Sequence, residues 1–133
     1  MIYNSSTTAE QTAAEIAKEN NVTVCAYKAN VANQQEIEAA INKVVQDFGK
    51  LDIAVVNSGV TSNIPAENYT VEQWRKIMDI NLDGAFYTAQ AAAKVFKTQG
   101  RGSIIFTASV SANLVNVPQT QAAVSTEYLT GKN

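Results

Sequence analysis

The 133-residue sequence contains no histidine and only one cysteine, Cys25, and each shortage excludes a class of chemistry. Without histidine, a hydrolase built on Ser-His-Asp is impossible. A structural zinc site would lack its usual ligands, and a single cysteine cannot form an internal disulfide. The sequence therefore predicts neither a metal site nor a disulfide-stabilised fold.

An excess of charge of one sign is also lacking. Ten Lys and Arg residues stand against 12 Asp and Glu residues, and no basic cluster is available to bind nucleic acid or an anionic membrane surface. No apolar run reaches the length of about 18 residues that predicts a membrane span, and no basic-then-apolar leader is present. We therefore expect a cytoplasmic protein whose partner is a small molecule, with no nucleic-acid or membrane partner.

What the sequence does contain is an alternation of strand-like and helix-like segments. Apolar residues recur on one side of residues 34–48, whereas residues 51–56 are almost entirely apolar, as in a strand buried on both faces. This alternation predicts an α/β fold with a parallel sheet. The expected order is strand 1–3, helix 9–19, strand 22–27, helix 34–48, strand 51–56, a long helix after residue 70, and strand 103–107.

Polar residues and a glycine follow the strand expected at residues 51–56. Asn57, Ser58 and Gly59 lie at its carboxyl end, which is where open parallel sheets bind ligands. Gly59 would allow the backbone to approach a ligand closely. The same pattern also serves an ordinary turn, so both interpretations stay open.

Asn81 lies on the apolar stripe of the long helix, between Met78 and Ala85. An amide that faces a core costs free energy unless it is hydrogen-bonded. Asn81 is therefore either a satisfied core residue or a residue that holds a backbone group or a water in a site.

Ser109 follows the strand expected at residues 103–107, again at a carboxyl end. Its hydroxyl can bond a substrate oxygen or cap a loop, and Ser111 competes with it for either role.

Taken in order, these segments resemble the short-chain dehydrogenase/reductase family. Residues 51–59 resemble the family's fourth strand and the turn after it, residues 79–84 contain Asn81 where the family has a helix asparagine, and residues 102–109 resemble its fifth strand with the catalytic serine. The run 109–123 is most similar to sugar and polyol reductases of the mannitol dehydrogenase and sorbose reductase type.

The resemblance implies a Rossmann-type doubly wound parallel sheet that is incomplete, with the first βα unit and the C-terminal part missing. Residues 1–123 would be a partial NAD(P)-binding domain, and residues 124–133 a tail outside the family pattern. The implied activity is NAD(P)H-dependent interconversion of a carbonyl and an alcohol on a sugar or polyol. The full-length parent would be a homo-oligomer.

The resemblance also implies roles for single residues. Ser109 would orient the carbonyl, and Asn81 would hold a water in the proton relay. No acidic residue ends the second strand to bind the ribose 2′-hydroxyl, which favours NADP, with NAD possible. The residues expected to contact the cofactor are Asn57 and Gly59, then Asn4 and Ser5, then Asn30 and Val31.

The sequence departs from the family pattern in three ways. The glycine-rich phosphate loop is missing, Val124 and Tyr128 stand where tyrosine and lysine are expected, and the family's further helix and strands are not present. Tyr128 and Lys132 have the Tyr-x-x-x-Lys spacing but lie farther from Ser109 than the family's pair. These departures are consistent with two interpretations of the chain: an inactive piece of the enzyme, or a non-catalytic remnant that binds a protein partner. A small flavodoxin-like domain fits less well, because its acidic cluster at the strand ends is missing.

Strand order gives one structural expectation. In the order 3-2-1-4-5-6 the first strand is central, so a chain with only strands two to five should form two half-sheets beside an empty slot. Each buried unmade hydrogen bond costs about 1–3 kcal/mol, against a total stability of about 5–15 kcal/mol. We therefore expect the slot to cost much of the stability of the domain.

Overall fold

The computed structural model describes residues 1–112, and within them helices alternate with short parallel strands, as predicted. Predictions that concern Val124, Tyr128, Lys132 and the tail 124–133 lie outside the described residues. The strands are β1 (Ile2–Tyr3), β2 (Tyr27–Lys28), β3 (Ile53–Val56) and β4 (Ser103–Phe106); the helices are α1 (Ala9–Asn20), α2 (Gln34–Phe48), α3 (Val71–Met78) and α4 (Gly84–Gln99).

The ends of α1 and α2 follow local sequence signals. The Asn33 side chain accepts hydrogen bonds from the backbone N–H groups of Gln35 and Glu36, so it caps the start of α2. Gly49, with φ 76°, ends that helix in the left-handed conformation, and Asn21, with φ 52°, ends α1. No helix within residues 1–112 is long and apolar enough to cross a bilayer.

The long helix predicted after residue 70 is interrupted, which corrects the prediction of one continuous element. It starts with a capping box between Thr70 and Gln73, which is consistent with a helix that begins after residue 70. A π-helical turn, Asp79–Asp83, then separates α3 from α4, and the Gly84 N–H donates to the Asp79 carbonyl oxygen. Such a turn widens the helix locally and occurs frequently at functional sites.

The described strands form two separate two-stranded sheets, β1–β2 and β3–β4, both parallel. A cavity of about 310 Å³ lies between them, with Ile2 of β1 on one side and Val55 and Val56 of β3 on the other. We name this cavity the slot. Its position agrees with the expectation that a central strand is missing from the sheet.

The core lies between the sheets and the pair α2 and α4. Ile37 and Ala92 are 0% exposed, and Phe96 packs over Gly102 so closely that a Cβ there would lie 2.1 Å from the ring. Gly102 therefore admits no side chain without a shift of Phe96. The buried cluster comprises Ala29, Ile37, Ala40, Ile41, Ala91, Ala92 and Phe96.

Two strand predictions are wrong in detail. The strand expected at residues 22–27 is reduced to Tyr27–Lys28, because β1 offers only two residues as partners. The strand at residues 51–56 is not buried on both faces, since Ile53 is 57% and Val55 58% exposed. Within residues 1–112, the helices cover only the other face of that strand.

Candidate functional site

A cleft of about 250 Å³ lies at the carboxyl ends of β1, β2 and β3. Five of the six residues expected at a cofactor line it, and no charged side chain of the described residues does. Asn57 lines the adjoining slot instead. The residues brought together in the cleft are Asn4, Ser5, Asn30, Val31 and Gly59.

The turn that follows β2 is fixed by side-chain hydrogen bonds. Asn30 Oδ1 accepts from the Ala32 N–H at 3.1 Å, and the Asn30 N–H donates to Glu36 Oε2 at 2.8 Å. Glu36 also accepts from Asn33 Nδ2 at 3.0 Å, which ties the turn to the start of α2. Sequence reasoning missed Glu36, although its place three residues after the cap Asn33 is the pattern of a capping box.

Val31 packs against the first residue of α4. A Cβ on Gly84 would lie 3.0 Å from Val31 Cγ2 and 3.1 Å from the Val31 carbonyl oxygen. Gly84 therefore allows the turn after β2 to approach the helix closely. Sequence reasoning missed this residue too, and the signal was a glycine inside a helical pattern, which usually has a packing reason.

Asn81 lies in the π turn and holds the backbone of Val60, in the loop after β3. Asn81 Oδ1 accepts from the Val60 N–H, and Asn81 Nδ2 donates to the Val60 carbonyl oxygen, each at 2.8 Å. Both functional groups of the amide are used, so this half-buried side chain is satisfied and also holds a backbone group. A Cβ on Gly59 would lie only 3.7 Å from Asn81 Oδ1, so the loop passes directly over the amide.

Ser109 and Ser111 differ in exposure and in role. Ser109 is exposed, and its Oγ accepts a hydrogen bond from the Ser111 N–H at 3.2 Å, so it caps the short helical turn Val110–Ala112. Ser111 is only 5% exposed. The more accessible hydroxyl at the carboxyl end of β4 is therefore that of Ser109.

Tyr3 is a titratable side chain that lines the cleft. Its hydroxyl donates to Glu10 Oε1 at 3.3 Å. Desolvation, with a smaller contribution from the nearby Glu10 carboxylate, raises the pKa of Tyr3. Tyr3 therefore stays protonated at neutral pH, and its proton is directed at Glu10 on α1 rather than available for transfer in the cleft.

A comparison with protein families identifies the class to which this fold and cleft belong. The family described as short chain dehydrogenase matches residues 1–125. The chain belongs to this family, and its fold is an incomplete Rossmann-type sheet with parallel strands, as expected from the sequence.

Individual relatives are similar over nearly the whole chain. An NADP-dependent mannitol dehydrogenase of Hypocrea jecorina is 38% identical over 115 residues, which cover 86% of this chain and 43% of that protein. A sorbose reductase of Schizosaccharomyces pombe is 37% identical over 125 residues, covering 92% of this chain and 49% of that protein. The chain thus spans about half the length of these relatives.

Solved structures give the same result for the fold. The crystal structure of an NADPH-dependent 3-quinuclidinone reductase from Rhodotorula rubra superposes with a TM-score of 0.88 at 37% identity, covering 98% of this chain and 50% of that one. A short-chain type dehydrogenase/reductase from Mycobacterium marinum superposes with a TM-score of 0.91 at 29% identity.

Proposed function

We propose that this chain is the part of a cytoplasmic, NADP(H)-dependent oxidoreductase that forms the adenosine end of the cofactor site and one side of the active site. The parent enzyme would interconvert a carbonyl and an alcohol on a sugar or polyol, as the names of the similar mannitol dehydrogenase and sorbose reductase suggest. The main support for the proposal is that one cleft at the edge of the sheet is lined by Asn4, Ser5, Asn30, Val31 and Gly59.

The cleft fits the adenosine part of the cofactor better than the rest. Its lining combines amide and hydroxyl side chains with exposed backbone at Gly59, a mixture that suits a planar base and a ribose. The pyrophosphate normally lies at a glycine-rich turn before a helix, and this sequence contains no such turn. We therefore assign only the adenosine end to the described residues.

The preference for NADP over NAD rests on what lines the cleft. An acidic side chain at the end of β1 would bind the ribose 2′-hydroxyl of NAD and repel a 2′-phosphate. The residues at that place are Asn4 and Ser5, which are neutral and exposed. A 2′-phosphate bound there would therefore lie near the hydrogen-bonding side chains of Asn4 and Ser5 and not near a negative charge.

Two residues would serve the reaction itself. The cofactor supplies the hydride when bound, and Ser109 is the exposed hydroxyl that would bind the substrate carbonyl oxygen. Asn81 would act as a positioning residue, since it fixes the loop of Gly59 and Val60 beside the cleft. The proton donor expected from the resemblance is replaced by Val124, so the chain by itself should not turn over substrate.

Two measurements on the purified chain test this proposal. The chain is titrated with NADPH and with NADH, and binding is detected by the fluorescence of the cofactor. The chain is also assayed for reduction of fructose and sorbose. We expect weak binding that favours NADPH, and no turnover. Equal failure of both cofactors to bind would instead favour the alternative, a non-catalytic remnant that binds a protein partner. Turnover that disappears in Tyr128→Phe would show that Tyr128 and Lys132 form a working pair.

A further inference from the structure

The turn after β2, which begins at Asn30 and ends at Asn33, has a nearly complete set of backbone hydrogen bonds. Three of its N–H groups are paired: Asn30 donates to Glu36 Oε2 at 2.8 Å, Ala32 to Asn30 Oδ1 at 3.1 Å, and Asn33 to the Asn30 carbonyl oxygen at 2.9 Å. The remaining backbone donor of the turn, the Val31 N–H, has no partner among the described residues. Each donor in such a turn can be accounted for in this way.

The side chain of Asn30 supplies a second unpaired donor. Its Oδ1 accepts from the Ala32 N–H, and this hydrogen bond fixes which end of the amide carries the oxygen. The other end, Nδ2, carries two hydrogens and has no partner within residues 1–112. Asn30 and Val31 both line the cleft. Two neighbouring residues therefore offer hydrogen-bond donors to a ligand there.

Acceptors are scarcer than donors beside this turn. No carboxylate of the described residues lines the cleft. The carboxylate that binds the turn, Glu36, uses Oε2 for the Asn30 N–H and Oε1 for Asn33 Nδ2. The hydroxyl proton of Tyr3 is directed at Glu10 on α1. The turn therefore complements a ligand edge that is rich in acceptors better than one that contains a donor.

Purine bases differ in this respect at their C6 edge. A purine with a 6-oxo group presents two adjacent acceptors, O6 and N7, whereas adenine presents the N7 acceptor beside its 6-amino donor. The two unpaired donors, Asn30 Nδ2 and the Val31 N–H, match the 6-oxo pattern. Adenine would retain one of these bonds, and its amino group would have to share Asn30 Oδ1 with the Ala32 N–H.

We propose that the turn after β2 binds the base of the nucleotide through Asn30 and Val31, and that it accepts a 6-oxopurine nucleotide at least as tightly as the matching adenine nucleotide. The inference rests on the proposed function, since it takes the cleft to be the base end of a nucleotide site. Asn30 is then the residue that determines specificity for the base. In Asn30→Asp an oxygen still accepts from the Ala32 N–H, whereas the donor Nδ2 is replaced by a second acceptor, which suits the adenine amino group.

The experiment compares inosine 2′,5′-bisphosphate with adenosine 2′,5′-bisphosphate as ligands of the full chain. Their phosphates are identical, so the ratio of their dissociation constants isolates the base. Binding is detected by the shifts of amide resonances in the cleft. We expect wild type to bind the inosine nucleotide at least as tightly as the adenosine nucleotide. Asn30→Asp should shift the ratio about tenfold or more toward adenosine.

A matched control separates the base contact from the added charge. Asn42→Asp places the same charge at an exposed position of α2 and should leave the ratio unchanged. Tighter binding of the adenosine nucleotide by wild type would overturn the inference and leave the proposed cofactor site intact, and this measurement needs no variant. A ratio that Asn30→Asp leaves unaltered would also overturn it. Failure of both nucleotides to bind would overturn the proposed function itself, and this inference with it.

Discussion

The carboxamide of Asn81 binds both backbone groups of Val60, with N–H to Oδ1 and Nδ2 to carbonyl oxygen each at 2.8 Å. At the other end of the same helical stretch, Gln99 binds both backbone groups of Leu51. Gln99 Oε1 accepts from the Leu51 N–H at 2.9 Å, and Gln99 Nε2 donates to the Leu51 carbonyl oxygen at 2.6 Å. The segment 51–60 is thus held at both ends by amide side chains. Strand β3 and the loop beside the cleft are thereby fixed along the helix.

We expect Asn81→Ala to release the loop after β3. The substitution removes both hydrogen bonds to the backbone of Val60, an exposed residue, and each such bond contributes about 0.5–1.5 kcal/mol net because water can replace the lost partner. Amide exchange at Val60 should accelerate clearly, whereas Asn42→Ala, a change of an exposed residue on α2, should have no effect there. Unchanged exchange at Val60 in Asn81→Ala would show that the loop is held by other contacts.

In a full-length enzyme that contains this segment, Ser109→Ala should lower turnover more than cofactor affinity, because the hydroxyl would face the substrate carbonyl. Removal of one such hydrogen bond commonly costs about 10²-fold or more in kcat. Ser111→Ala is the matched control, since Ser111 is buried. A larger loss of turnover in Ser111→Ala would mean that the catalytic position lies two residues further along the chain.

A pH-dependent contribution to stability is expected at Asp47, which joins α2 to β2. Its carboxylate accepts from Lys43 and, at 2.9 Å, from the Tyr27 hydroxyl, and these hydrogen bonds lower the pKa of Asp47 from its ordinary value of 3.8. A depressed pKa stabilises the fold above pH 3.8, and this contribution is lost as the pH falls through the folded-state pKa.

The predicted pH dependence is checked by the difference in free energy of unfolding between wild type and Asp47→Asn, called the stability gap here. Urea unfolding should show the gap at pH 7, and the gap should shrink toward zero below pH 3.8. Asp83→Asn is a control on the π turn, away from this cluster. A gap that is the same at both pH values would mean that Asp47 acts through packing rather than charge.

Features decided by neighbouring residues could be predicted from the sequence. The cap Asn33, the terminating Gly49 and the capping box of Thr70 and Gln73 act within a few residues, and each lies at an end of a helix that the sequence predicts. The catalytic and cofactor roles proposed for the site residues stay predictions; the structure shows only that five of the six residues expected at the cofactor line one cleft.

Features decided by distant parts of the chain could not be predicted. The π turn accompanies the bond between Asn81 and Val60, 21 positions apart, which no local pattern reveals. The strand expected at residues 22–27 is short because its partner β1 is short. The exposure of Val55 depends on which face the helices cover, and apolar composition alone does not contain that information.

The central claim is that the cleft of Asn4, Ser5, Asn30, Val31 and Gly59 binds the adenosine end of NADP(H). The most direct measurement is amide exchange of the full chain titrated with adenosine 2′,5′-bisphosphate, with 5′-AMP and inorganic phosphate as comparison ligands. We predict slower exchange at Ser5, Val31 and Gly59 with the bisphosphate and less with 5′-AMP, while Gly49 and Gly100 at the helix ends stay unchanged. Unaltered exchange at all three cleft residues, or the same protection with inorganic phosphate alone, would contradict the claim.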